Sequence, residues 1–195
     1  MLLGEYAKLL SRAELALKGR VYTGNMAAAG AVIPIYSGTT QQFGLWNPVG
    51  SGRIAEIIEV GLGSYVDTTG AAGGYVLGIL KNAPGQLATG AAITAFTETT
   101  PENSVPNGGE TNKVKFGQGA TLTVTAPSLW RHLHINQNAF TALGTGQMPV
   151  EGPVVKFSDR TLWIPPGVAV FLAGNIATLA KFAPTISWAE HDYAP

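Results

Sequence analysis

The sequence predicts a mainly β protein: an antiparallel β-sandwich of the jelly-roll kind preceded by an N-terminal helical arm. Three observations lead there. Turn formers recur along all 195 residues, with 25 glycines and 12 prolines and no collagen-like period. Between the turns lie short runs of alternating or continuous apolar residues, the signature of strands. One segment alone, at the N-terminus, repeats apolar residues at three- and four-residue steps.

That segment runs from Leu2 to Leu17, where Leu2, Tyr6, Leu9, Leu10, Ala13 and Leu17 form a single apolar stripe. Glu5, Lys8 and Arg12 mark the other side, and Gly19 is a natural stop. Ser11-Arg12-Ala13-Glu14 also fits a capping box, which would divide the helix in two. The stripe either packs on its own sandwich or docks on a neighbouring subunit. Small residues from Met26 to Gly30 suit a detachable connector, so residues 1–30 are assigned to the arm and 31–195 to the sandwich.

Strand character begins at Ala31, with Pro34 marking an edge strand. Phe43–Trp46 is a second strand, closed by the turn N-P-V-G-S-G, which lacks the G-K-[ST] of a phosphate loop. Arg53–Val66 reads as strand over helix because Gly61 and Gly63 disfavour a helix interior. In that reading Ile54, Glu56, Ile58, Val60 and Leu62 share a face. Gly73–Leu80 is expected to pair with it as a hairpin. Residues 83–112 form a long polar excursion holding Glu98, Glu102 and Glu110, read as solvated loop carboxylates.

Short strands are expected at Lys113–Phe116 and Thr121–Thr125 around a Gly117-Gln118-Gly119 turn. Leu129–Asn136 places Trp130, His132, His134 and Asn136 on one strand face. After Val154–Phe157, the stretch T-L-W-I-P-P-G-V-A-V-F-L-A alternates, turns at Pro165-Pro166-Gly167, and continues as a buried run, reading as a hairpin. Ile186, Trp188 and Glu190 share one face of the closing strand.

Composition narrows the function. Lys+Arg and Asp+Glu are each 12, so net charge is zero and only 12% of residues are charged. A nucleic-acid binder needs a basic stripe, so none is expected as partner. A near-neutral surface instead suits contact with other protein. Cysteine is absent, which leaves no disulfide or thiolate-metal support. No apolar run reaches membrane-spanning length, and M-L-L-G-E-Y lacks the layout of a secretion signal.

The candidate chemistry is sparse. His132 and His134, at i and i+2 on a strand, can share a metal as in cupins, but Asn136, Gln137 and Asn138 stand where a glutamate ligand is wanted. With Trp130 they read instead as an aromatic, polar face at a subunit contact. Ser128 or Ser158 with His132 and Asp159 makes a triad on paper, without a G-x-S-x-G elbow. Glu98, Glu102, Glu151 and Asp159 have no spacing that sets them apart as a glycosidase pair. The tryptophans serve either as core and interface anchors or as a sugar-stacking platform. The expectation is a non-enzyme without metal or cofactor.

The segments L-W-N-P-V-G-S-G (45–52), T-L-W-I-P-P-G-V-A-V-F-L-A (161–173) and I-S-W-A-E (186–190) resemble small structural proteins of tailed-phage virions. That resemblance implies a jelly-roll or TNF-like sandwich, a homotrimer, made in the host cytoplasm and placed on the capsid exterior. It implies decoration or cementing of the head through the major capsid protein, with a head fibre or receptor-binding knob as the alternative. The partner-binding residues expected on this reading are Leu2, Tyr6, Leu9, Leu10 and Leu17 of the arm, and Trp130, His132 and His134 of the sandwich.

Overall fold

The structure, a computed structural model, describes residues 11–26, 31–32, 35, 40–41, 43–61, 73–81, 93–106, 108–122, 128–137, 154–157, 162–175 and 181–193. A short helix, α1 (residues 11–17), comes first. The strands follow in chain order: β1 (Val21–Asn25), β2 (Ala31–Val32), β3 (Thr40–Gln41), β4 (Gly44–Asn47), β5 (Arg53–Gly61), β6 (Gly73–Lys81), β7 (Ile93–Glu98) and β8 (Glu102–Asn103). Then come β9 (Lys115–Leu122), β10 (Ser128–Gln137), β11 (Val154–Lys156), β12 (Leu162–Ile164), β13 (Val168–Gly174), β14 (Lys181–Phe182) and β15 (Thr185–Asp192).

Among the described residues these strands form two large antiparallel sheets. One has six strands in the order β11-β5-β15-β1-β8, with β12 also on β5. The other has seven, in the order β10-β6-β13-β4-β9-β3, with β7 also on β9. Strands β2 and β14 make a separate two-stranded ladder. The mainly β expectation therefore holds.

Both large sheets contribute to one apolar core. Trp188 on β15 is fully buried and stacks on Phe116 of β9 across the core, centroids 6.0 Å apart. Tyr22 on β1 also stacks on Trp188, at 5.6 Å. Phe43 meets Phe116 edge-on at 5.0 Å. The expected face of Ile186, Trp188 and Glu190 is indeed the inward one, and all three are buried. The run Ala169–Ala173 is buried throughout, in an inner strand that pairs with β4 on one edge and β6 on the other.

Several expectations from periodicity are corrected. β5 and β6 do not form a hairpin: β5 joins β15 in the six-stranded sheet, and β6 joins β10 and β13 in the other. Likewise β12 pairs with β5, whereas β13 pairs with β4 and β6. The Pro165-Pro166-Gly167 turn is thus a corner between sheets. Val168 N–H closes it on the Pro165 carbonyl at 3.2 Å, and Gly167 sits at φ 87°. The Gly117-Gln118-Gly119 turn is absent, since β9 runs straight through it. Gly119, at φ 66°, instead lies where the register to β7 slips, an irregularity rather than a reversal.

The inward face of β5 is also not the one that simple alternation picks. Ala55, Ile57 and Val60 belong to the core, and the register to β15 shifts between Ser187 and Trp188. Glu59 faces Ser187 and Ile57 faces Trp188, leaving Ile58 as the extra residue of a bulge. An extra residue reverses the parity of everything beyond it. The Ile58 carbonyl then accepts from Phe157 N–H at 2.9 Å.

Part of the expected arm belongs to the sheet. Val21–Asn25 is an inner strand between β15 and β8, paired from Val21 with Ala189 to Asn25 with Thr185. Helix α1 stops where expected: Arg20 N–H reaches the Leu15 carbonyl at 2.8 Å and Gly19 N–H the Ala16 carbonyl at 2.9 Å. Gly19 has φ 65°, and a Cβ there would lie 2.2 Å from the Gly109 Cα. Glycine is required twice over, for the left-handed turn and for the close approach of the later loop.

Asn47 ties three corners together. Fully buried, it donates through Nδ2 to the carbonyls of Arg53 and Ile164, both at 2.8 Å, while its backbone carbonyl accepts from Gly167 N–H at 2.8 Å. Asn47→Ala strands the buried Ile164 carbonyl, while the half-buried Arg53 carbonyl keeps the Ser51 hydroxyl at 3.3 Å, and it is expected to cost about 1–3 kcal/mol in chemical denaturation. A loss below half a kcal/mol would show that the clamp is dispensable.

Candidate functional site

Two polar clusters lie on the six-stranded sheet, and each joins chain segments distant in sequence. The first is on its outer face. Alternation in β15 turns His191 outward, opposite to Trp188 and Glu190. On β5, Glu56 pairs with Ala189 and Ile54 with His191, which brings the Glu56 carboxylate beside the imidazole. His191 Nε2 lies 3.1 Å from Glu56 Oε2, and Arg12 Nη2 donates to Glu56 Oε1 at 2.8 Å. Arg12 also donates to the Phe157 carbonyl at 3.3 Å. Burial pushes the Glu56 carboxyl up, but hydrogen bonds from His191 and Arg12, with the Arg12 charge, outweigh it and hold the pKa down to about 2. With both oxygens engaged, Glu56 works as a strut fastening α1 to the sheet.

The second cluster fastens the acidic loop. Arg20 donates to Glu110 Oε1 and to Asp192 Oδ2, each at 2.8 Å. Arg53 donates to Glu110 Oε2 at 2.9 Å and also contacts Asp192. Tyr22 Oη donates to the Glu110 carbonyl at 2.9 Å. Just beneath, the buried Glu190 carboxylate accepts from the N–H groups of Lys113 and Val114 at 3.0 Å and from Trp188 Nε1 at 3.2 Å. Desolvation raises the Glu190 pKa, opposed by those donors and by Arg53. Burial likewise raises the Tyr22 hydroxyl, with Glu190 and Glu110 adding to the rise. The Glu110 carboxyl is lowered, first by its bond from Arg20.

A cleft of about 240 Å³ opens beside this clasp, between Tyr22, Pro101, Asn103, Gly109 and Asn112. Its amides are already engaged: Asn103 Nδ2 donates to the Gly19 carbonyl at 2.7 Å and Asn112 Nδ2 to the Val114 carbonyl at 2.8 Å. The cleft is thus a seam of the loop's own hydrogen bonds.

The loop carboxylates were expected to be solvated. All three are exposed, and two are ion-paired as well: Glu110 bridges two arginines, and Glu98 pairs with Lys115 at 2.9 Å. Glu102 belongs to β8, whose pairing with β1 gives the excursion a strand of its own. No local signal announces these arrangements, because Arg20 and Glu110 are 90 residues apart.

Of the expected partner-binding residues, Leu2, Tyr6, Leu9 and Leu10 lie outside the described residues. Leu17 ends α1 and is 84% exposed. Trp130, His132 and His134 lie in β10, the edge strand of the seven-stranded sheet, where His132 faces Val76 on β6. The register slips between Leu129 and Arg131 and again between His132 and Asn136, so a strict period of two does not carry through the segment. Their side chains lie outside the described set, as do Ser158, Asp159 and Glu151. No group of three potential metal ligands occurs among the described residues. No helix among them is long and apolar enough to cross a membrane.

Comparison of the chain with protein-family models, curated proteins and solved structures gives no match.

Proposed function

We propose that the chain is a virion structural protein: a capsid decoration or cement subunit with a jelly-roll or TNF-like sandwich. On this reading it trimerises on the outside of a phage head and binds the major capsid protein. The observation that supports it is the direction of the helix stripe. Residues Leu15 and Leu17 are about 200° apart on a helix. Leu15 is buried and Arg12 is clamped to Glu56, so the docked side of α1 is the one holding Arg12. The stripe residues Ala13 and Leu17 face solvent. An apolar stripe held outward on an anchored helix is a surface suited to a protein partner. In sequence the same stripe continues back through Leu10, Leu9, Tyr6 and Leu2.

The test uses shells assembled from the major capsid protein encoded in the same genome. The purified chain is expected to run as a trimer in light scattering and to sediment with the shells. Leu17→Asp, on the surface of the anchored helix, is expected to weaken sedimentation by about tenfold without unfolding the chain. Shells that pellet without the chain, or a genome with no capsid gene, would overturn the reading.

A further inference from the structure

The outer face of the six-stranded sheet carries an exposed aromatic ring with a separate use. Trp163 on β12 is 41% exposed, while its chain neighbours Leu162 and Ile164 are buried in the core. Those two anchors fix the backbone, so the indole is presented from a rigid strand. The His191 ring lies 4.9 Å away, centroid to centroid, tilted by 58°. His191 is itself oriented by Glu56, and Glu56 by Arg12.

Hydrogen-bonding groups remain open around the ring. Among the described residues, Trp163 Nε1 and His191 Nδ1 make no hydrogen bond.

Charge selects the class of ligand. The Arg12 guanidinium is matched by the Glu56 carboxylate, so this pair leaves no free cation with which to attract a phosphate or carboxylate. Nor is it shown as a wide apolar area of the kind a protein interface core needs, since the ring against the indole is the polar imidazole of His191. A flat π-face beside an imidazole matches a neutral sugar ring, whose C–H face packs on the indole while its hydroxyls meet the ring nitrogens.

We propose that Trp163 and His191 form a stacking subsite for a neutral sugar ring. Trp163 supplies the platform, His191 Nδ1 and Trp163 Nε1 bond ring hydroxyls, and Glu56 and Arg12 act as positioning residues. The subsite does not depend on the virion reading.

The experiment presents the full chain to an array of neutral oligosaccharides: glucans, galactans, mannans and N-acetylhexosamine chains. Any hit is followed by calorimetry with Trp163→Ala, Trp163→Phe and His191→Gln. The expected result is a neutral glycan whose binding weakens about tenfold or more in Trp163→Ala and less in Trp163→Phe. The indole N–H resonance of Trp163, assigned from its loss in Trp163→Phe, is expected to shift as the sugar is added. That readout holds even if the alanine variant folds poorly. No hit on the array overturns the proposal, as does a hit that leaves the Trp163 resonance unmoved. A change of solution mass in Trp163→Ala without sugar binding would make the face a contact between copies, and would also overturn it.

Discussion

Trp188→Ala is expected to destabilise the chain by about 3–5 kcal/mol, a large part of the 5–15 kcal/mol typical of a folded domain. Three losses coincide at this one side chain. Its ring is fully buried and stacks on Tyr22, from the same sheet, and on Phe116, from the opposite one. Removing it opens a cavity between the sheets and breaks both stacks. It also takes away the indole N–H that Glu190 accepts. Trp188→Phe keeps much of the stacking and is expected to lose only about 1–2 kcal/mol. Guanidinium denaturation followed by circular dichroism separates the two. Equal, small losses in both variants would mean that the sheets do not meet at this residue.

Glu190 carries the second large effect. Glu190→Ala leaves three donors facing a void: the N–H groups of Lys113 and Val114 and the indole of Trp188. The expected cost is about 3 kcal/mol or more, with Lys113 and Val114 amides exchanging faster as the strand entry loosens. Glu190→Gln keeps one oxygen that can accept from Val114 and Trp188, and is expected to lose less.

The two glutamates also give opposite pH signatures. The Glu190 pKa is raised on folding by desolvation, so the folded chain retains this proton after the unfolded chain has released it. Its contribution to stability is therefore full below the unfolded value and is lost as pH rises through the raised folded value. Glu56 is the reverse. Its contribution is full above the unfolded carboxyl value and is lost as pH falls towards about 2. Relative to Glu190→Gln, the wild type is expected to lose stability as pH rises from the unfolded carboxyl value through the raised folded one, and relative to Glu56→Gln to lose it in stronger acid. A stability difference between wild type and Glu190→Gln that stays flat across that range would mean that Glu190 has an ordinary pKa.

Local chemistry made the elements legible. Glycines at 61 and 63 argued for strand over helix at Arg53, and the structure has β5 there. Gly19 marked the helix stop, and the inward face of β15 followed from the alternation of Ile186, Trp188 and Glu190. Each depends on dihedral freedom or side-chain parity within a few residues, which a single segment carries with it.

Neighbours in space were not legible in the same way. Strand parity survives only until a bulge, so the extra residue at Ile58 moved the core face of β5 onto Ala55, Ile57 and Val60. Pro165-Pro166-Gly167 specifies a turn equally well within one sheet or between two. The choice fell to the partners competing for β12 and β13, namely β5 on one side and β4 with β6 on the other.

Both polar clusters, Arg12–Glu56–His191 and Arg20–Arg53–Glu110–Asp192, belong to this second class. They join segments between 44 and 172 residues apart, and a charged residue in sequence bears no mark of a counterion so remote. Turns, strand character and inward faces are short-range consequences of covalent geometry and apolar pattern. Sheet assignment, core register and ion pairing arise when distant segments compete to bury the same surface and satisfy the same polar groups, and that competition is resolved only in the folded chain.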